Sequence, residues 1–180
     1  MAAKILARLR AQFNDSIIET SEAHGNETAV IEPYRLLEVA RFLRDEADLA
    51  LRMPIDCTAV DHLGQPNARF RFEVVWHLYS VVHRHRLRLK ARLDEALPQV
   101  HSLTPVWPGM NWHERETWDL YGIRFVGHPN LRRVLMYEEF VGHPLRKDYP
   151  IDKRQPLVPM RPVRAVATQR HAPTEVLNRP

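Results

Sequence analysis

The sequence predicts an α+β protein of two layers. The order read from it is helix, two strands, helix and three strands. These build a mixed sheet with helices on one face, followed by a short helix and an extended C-terminal tail. Three observations carry this reading. Two runs place their apolar residues at helical spacing on one side. Several runs alternate with period two, which helical geometry would smear around an axis. Beyond Tyr149 the prolines multiply and the aromatics vanish, so that stretch lacks the means to form a core of its own. The expected division is an α+β domain over 1–110, a helix with a charged interface segment over 111–150, and a Pro/Arg-rich tail over 151–180.

The elements follow in order. Ile5, Leu6, Leu9 and Phe13 share a face within MAAKILARLRAQF, an amphipathic first helix. Its basic, acid-free character also suits a transit peptide, although it is short and poor in Ser for one. Ser16–Glu22 and Glu27–Glu32 read as strands around His24-Gly25-Asn26, since Gly-Asn between two such runs is a hairpin signal. Pro33 suits a first helical position, where its missing N–H is not needed. Leu36, Leu37, Ala40, Leu43 and Ala47 then line one side of a second helix. Pro54 breaks that pattern. Ile55–Asp61 reads as a strand and His62–Asn67 as a turn.

In the clearest strand Phe70, Phe72, Val74, Trp76 and Leu78 alternate with Arg69, Arg71, Glu73, Val75 and His77. Its first half presents one wet face. The next strand sets Leu87, Leu89, Ala91 and Leu93 against Arg86, Arg88, Lys90 and Arg92, with His83-Arg84 at the turn. Leu97–Pro108 is punctuated by proline and irregular, with room for part of it to pair as a strand. Asn111 stands where an N-cap should and Glu114 where a capping-box acid should. Gly122 is placed to end that helix.

Bulk properties narrow the function. The chain has 180 residues, a net charge of +4 and a hydrophobic fraction of 44%, enough for one domain with extensions. The positive balance suggests an acidic partner. A single cysteine, Cys57, allows no internal disulfide and no cluster held by four cysteines of this chain. No run approaches the ~20 apolar residues of a membrane-crossing helix.

The densest chemistry lies between Glu114 and Pro150, where charged residues alternate with Gly-Pro punctuation. His113-Glu114 begins like a zinc-protease helix, but Thr117 stands where the second histidine must be. No Gly-rich phosphate loop and no nucleophile elbow occur. Arg115 and Asp119 are spaced for a surface ion pair. The histidines of the two Gly-His-Pro turns, His128 and His143, suit bonds to nearby backbone. The basic row on the last strand raises nucleic-acid binding, but interleaved stacking aromatics are missing there. A charged docking surface fits best. Its residues are Glu114, Arg115, Glu116, Asp119, His128, Arg132, Arg133, His143, Arg146, Lys147 and Asp148.

The spacing of Glu114-Arg115-Glu116, Asp119, Leu120-Tyr121, Gly122, His128, Arg132 and Val134-Leu135 resembles the C-subunit family of respiratory NADH:quinone oxidoreductase (complex I), also known as its 30 kDa-type subunit. GHPLRKDYP, from Gly142 to Pro150, is similar to that family's second hallmark. RFEVVWHLYSV, HRLRLKARL and the run Pro105–Trp112 also resemble it, so the likeness spans roughly Glu27–Pro150. The resemblance implies a non-catalytic peripheral-arm subunit that packs against the quinone-site D-subunit and the iron–sulfur B-subunit. It implies no cofactor in this chain, with FMN, iron–sulfur clusters and quinone held by partners. It also implies a place on the cytoplasmic face of a bacterial inner membrane, or the matrix face in a mitochondrion. Related membrane-bound hydrogenases and ferredoxin-fed quinone reductases contain similar subunits and stand as the alternative.

Overall fold

The structure is a computed structural model that describes residues 3–66 and 69–158. Seven strands and three helices follow one another as α1 (Ala3–Phe13), β1 (Ile17–Ala23), β2 (Asn26–Ile31), α2 (Leu36–Asp45), β3 (Met53–Asp61), β4 (Phe72–Ser80), β5 (His85–Leu93), β6 (Gln99–His101), α3 (Met110–Tyr121) and β7 (Arg124–Val126). Five strands form one sheet in the order β1-β2-β5-β4-β3. All its neighbours are antiparallel except the central β2–β5 pair, which is parallel and runs from Glu27↔Leu87 to Ile31↔Ala91. This is the mixed sheet the sequence predicts. β6 and β7 form a small parallel pair of their own.

The core lies between one face of the sheet and α1 and α2. Ile5, Leu9 and Phe13 of α1, and Leu36, Val39, Ala40 and Leu43 of α2, meet Ala29, Ile31, Trp76, Leu78, Leu87, Leu89 and Ala91 from the strands. Ala47 lies beyond the end of α2, and Val39 takes the inward place the pattern needs. The Glu27 carboxylate of β2 accepts the Ile5 and Leu6 N–H groups at 3.3 and 3.2 Å. It thereby caps the first turn of α1, where unsatisfied donors and the helix dipole favour an anion.

Four local expectations are corrected. Pro54 does not delimit β3 but lies within it, next to a register shift between Pro54 and Asp56. An edge strand tolerates proline there because no ladder N–H is needed. The wet face expected of Arg69, Arg71 and Glu73 is wet only at Arg69, which is exposed and precedes β4. Arg71 and Glu73 are both buried, held by ion pairs rather than water. The β4–β5 turn spans Val81–Arg84, and Arg84 adopts the left-handed φ of 53° in place of a glycine. Asn111 does not cap α3. The helix begins at Met110 after Gly109, with no side-chain capping bond. Gly122 does end it, at φ 74° with its N–H on the Trp118 carbonyl. Residues 151–158 carry no helix or strand. The rest of the predicted tail, and Asn67 of the predicted turn, lie outside the described residues.

Candidate functional site: a buried polar helix and the segment it holds

The inward face of α3 is polar. Glu114, Arg115, Thr117 and Asp119 are all buried, and each is spent on a different neighbour. Such burial is tolerable only when every charge and lone pair finds a partner. Glu114 accepts from the Ser102 hydroxyl and the Leu103 N–H, both at 2.6 Å. It braces the loop after β6 rather than capping its own helix. Thr117 Oγ1 donates to the Cys57 carbonyl at 2.8 Å, which ties α3 to β3, the outermost strand of the sheet. Arg115 donates to the carbonyls of Arg132 and Arg133 at 3.1 and 3.2 Å and lies 4.6 Å over the Trp112 ring. The surface pair between Arg115 and Asp119 is not formed, because both side chains turn inward.

Asp119 is the most heavily used group. One carboxylate oxygen accepts the N–H groups of Val134, Leu135 and Met136 at 2.9–3.0 Å. The other accepts Arg133 at 2.6 Å. Burial works to raise its pKa, but these donors outweigh it and hold the carboxyl below its usual range. Arg133 continues to the carbonyls of Phe140 and Gly142. The backbone from Arg132 to Gly142, which has no regular structure, is thus pinned to α3.

The histidines of the two Gly-His-Pro turns bond to backbone as their setting predicts. His128 reaches the Asn111 carbonyl at 3.1 Å and accepts the Asn130 N–H at 3.0 Å. His143 reaches the Asp119 carbonyl at 2.9 Å. Burial pushes the pKa of both below that of a free imidazole. Arg146 donates to the Tyr121 carbonyl at 2.6 Å and lies over Phe72.

A second lock secures the far end of the segment. Asp61, buried at the end of β3, accepts the Lys147 N–H at 2.9 Å and the Nε–H and one terminal N–H of Arg71, each at 3.3 Å. Arg71 also binds Asp148 at 2.6 Å and Glu95 at 2.5 Å. Burial disfavours the Arg71 cation, but the three carboxylates more than offset this and its pKa is raised.

The predicted residues therefore divide. Glu114, Arg115 and Asp119 are buried within the chain. Arg133, His143 and Arg146 are half-buried and bonded internally, and His128 is half-buried as well. Glu116, Arg132, Lys147 and Asp148 are exposed. Sequence reasoning missed Asp61, Arg71, Ser102, Thr117 and Tyr121, which complete the locks. Nothing local marks them, since Arg71 meets Asp148 across 77 positions. Among the described residues no group of three or more His, Cys, Asp or Glu is placed to hold a metal ion. Burial, followed by the nearby Glu114 charge, pushes the Cys57 thiol well up, the reverse of what a thiolate ligand needs.

Comparison with known proteins gives this arrangement a family. Residues 29–155 match the model of the family described as respiratory-chain NADH dehydrogenase, 30 Kd subunit. The NADH-quinone oxidoreductase C-subunit of Roseiflexus sp. (strain RS-1) is 48% identical over 149 residues, covering 83% of this chain and 84% of the relative. The corresponding C-subunit 2 of Rhizobium etli (strain CIAT 652) is 45% identical, covering 81% and 75%. Among solved structures, a trypsin-resistant fragment (1-134) of Nqo5 superposes with a TM-score of 0.62 at 27% identity, covering 73% of this chain and all of the fragment. A chain of the membrane-bound sulfane sulfur reductase, an archaeal respiratory membrane complex, shares the fold with a TM-score of 0.65 at 19% identity, covering 83% of this chain and 85% of that one. The chain that builds its locks from Asp119, Arg133, Asp61 and Arg71 belongs to the family of the 30 Kd subunit of respiratory-chain NADH dehydrogenase.

Proposed function

We propose that this chain is a non-catalytic scaffold in the peripheral arm of a proton-translocating NADH:quinone oxidoreductase. In this reading it holds the quinone-site D-subunit and the iron–sulfur B-subunit in register for electron transfer from NADH to quinone. Membership of the family makes the chain a subunit of that enzyme complex. No helix among the described residues is long and apolar enough to cross a membrane, as suits a peripheral subunit. The finer placement on the cytoplasmic face, and the absence of FMN, cluster or quinone from this chain, belong to the proposal.

The observation that carries it is the pairing of internal locks with outward apolar side chains on one segment. Leu135, Val141 and Leu145 are 55%, 52% and 47% exposed, yet their backbone is held: the Leu135 N–H by Asp119, the Phe140 and Gly142 carbonyls on either side of Val141 by Arg133, and the Leu145 N–H by the Leu120 carbonyl. Ile151 and Leu157 continue the apolar series. Apolar contacts on a preorganised backbone lose little entropy on docking, and such contacts form the centre of protein interfaces. The charged residues supply rigidity, while exposed Glu116, Arg132 and Lys147 are left to fix register at the rim.

The fold is shared with a complex of another activity. The weight given to NADH:quinone oxidoreductase over a hydrogenase or ferredoxin-fed reductase rests on the relatives at 48% identity. The test is co-purification of the tagged chain from its host. The iron–sulfur and quinone-site subunits should appear in equal amounts. Leu135→Asp with Leu145→Asp should release them while the isolated chain keeps its melting temperature. Retention of both subunits by the double variant would defeat the assignment of this surface.

A further inference from the structure

The sheet face opposite the helices raises a question that the docking segment does not answer. Along β5 the cations Arg86, Arg88, Lys90 and Arg92 all project from that face, but they are not equivalent. Lys90 meets Glu73 at 2.6 Å, and Arg92 meets Glu19 at 2.6 Å and Glu73 at 3.7 Å. The stem of Lys90 stands between Val30 and Val75 in the register, and both valines are buried. An aliphatic stem covering apolar neighbours accounts for this. That half of the row is neutralised within the chain.

The other half is not. Among the described residues, Arg84, Arg86 and Arg88 have no carboxylate within 4 Å. Arg86 is steadied over the Tyr79 ring at 5.5 Å. Arg84, at a left-handed φ of 53°, is exposed. Beside them lies a hollow of about 520 Å³ lined by Lys4, His83, Arg84 and Arg86, with acids Glu27 and Asp48 also on its wall. Glu27 is occupied by the first turn of α1, and Asp48 meets Lys4 at 3.7 Å. A second hollow of about 250 Å³ shares Asn26 and Arg86 with the first and reaches Arg88. At the tip of the same hairpin, Val81 and Val82 are 64% and 70% exposed.

We propose that this β4–β5 hairpin end is a second docking surface, for an acidic partner subunit of the same assembly. The partner would present carboxylates to Arg84, Arg86 and Arg88 around a small apolar depression that receives Val81 and Val82. An apolar centre with a charged rim is the anatomy of a protein interface. Complementary charge is what such a row of unpaired guanidinium groups selects. Nucleic acid fits less well, because stacking needs open aromatic faces and Arg86 covers Tyr79. A membrane surface fits less well too, because two valines offer no large apolar or aromatic anchor. This end lies one strand away from the Asp61–Arg71–Asp148 lock, roughly 27 Å at about 3.3 Å per residue. The chain would then meet its partners on two separate surfaces rather than on the docking segment alone.

The inference rests on the subunit reading above, and its test separates the two. A photo-crosslinking residue is placed at position 82 of the full chain within the purified assembly. The linked peptide should come from another subunit and be rich in Asp and Glu. Arg84→Glu combined with Arg88→Glu should reduce crosslinking at least tenfold, and Arg84→Lys with Arg88→Lys should restore most of it. Reversal of the exposed Arg41 and Arg52 on other elements should leave it unchanged. Crosslinks only within this chain, to lipid, to nucleic acid or to a peptide without carboxylates would overturn the proposal and leave the scaffold reading intact. Failure to recover the chain with any quinone-site or iron–sulfur subunit would remove both.

Discussion

Glu114 and Asp119 lie five positions apart on α3 and are both fully buried, yet their proton affinities move in opposite directions. Asp119 collects one guanidinium and three backbone N–H groups, so its charge is well compensated. Glu114 has only one hydroxyl and one N–H to set against its burial, and its pKa is pushed up to about 7. The stability consequences differ in sign. For Glu114 the folded chain holds the proton more tightly than the unfolded chain does. The associated cost is absent below about pH 4.5 and grows as pH rises to about 7. It amounts to about 3 kcal/mol, at about 1.4 kcal/mol per pH unit. Asp119, with its lowered pKa, stabilises above the usual carboxylate range and loses that contribution only in stronger acid. Burial lowers the pKa of His77, His85, His128 and His143, so they favour stability as pH rises through 6.5 and partly mask Glu114. Glu114→Gln keeps both partners and never ionises. Denaturant unfolding from pH 4.5 to 8 should show the variant gaining on the natural chain by about 3 kcal/mol. Equal pH profiles for the two proteins would refute this account of Glu114. None of it is legible from the spacing Glu114-Arg115-Glu116, which describes a capping box and surface pairs equally well.

At the level of elements, legibility follows the range of the interaction. The period-two rows of β4 and β5 and the apolar faces of α1 and α2 depend on neighbouring positions, and they are readable with ends off by a few residues. The burial of Arg71 and Glu73 depends on Glu95, Asp148 and Lys90, which no local window contains. The same holds for α3, whose polar face looks exterior in sequence because its partners lie on β3, on the loop after β6 and beyond β7. Gly122 shows how tightly these parts are joined. A Cβ there would stand 2.5 Å from the His143 ring and 2.6 Å from an Arg146 guanidinium nitrogen, on a backbone with φ 74°. Gly122→Ala therefore both strains the helix end and wedges off the segment it faces. Its expected cost is about 2–4 kcal/mol, read as a lower melting temperature. Faster proteolysis between positions 140 and 150 should accompany it. Cleavage at the natural rate would show that the segment does not lean on this glycine.

For the molecule as a whole, the two locks predict that order in the docking segment precedes assembly. The Val134, Leu135 and Met136 amides should exchange with solvent slowly in the isolated chain, because all three are held by Asp119. Arg71→Leu should free the far end by abandoning Asp61 and Asp148, at about 3–5 kcal/mol for a stranded buried charge. Exchange at the rate of a free peptide in the natural chain would mean that partners, not these locks, order the segment. The strand order has a further consequence, in time rather than in space. Ile31 pairs with Ala91, sixty positions later, and the central ladder cannot close before β5 exists. At about 5–20 residues per second, a ribosome keeps the first hairpin waiting on the order of 3–12 s. Throughout that interval β2 offers Ala29, Val30 and Ile31 along an open edge, a ready template for mispairing. The nascent chain is therefore most vulnerable over its first half, which makes β2 the place where a holding chaperone would have to act.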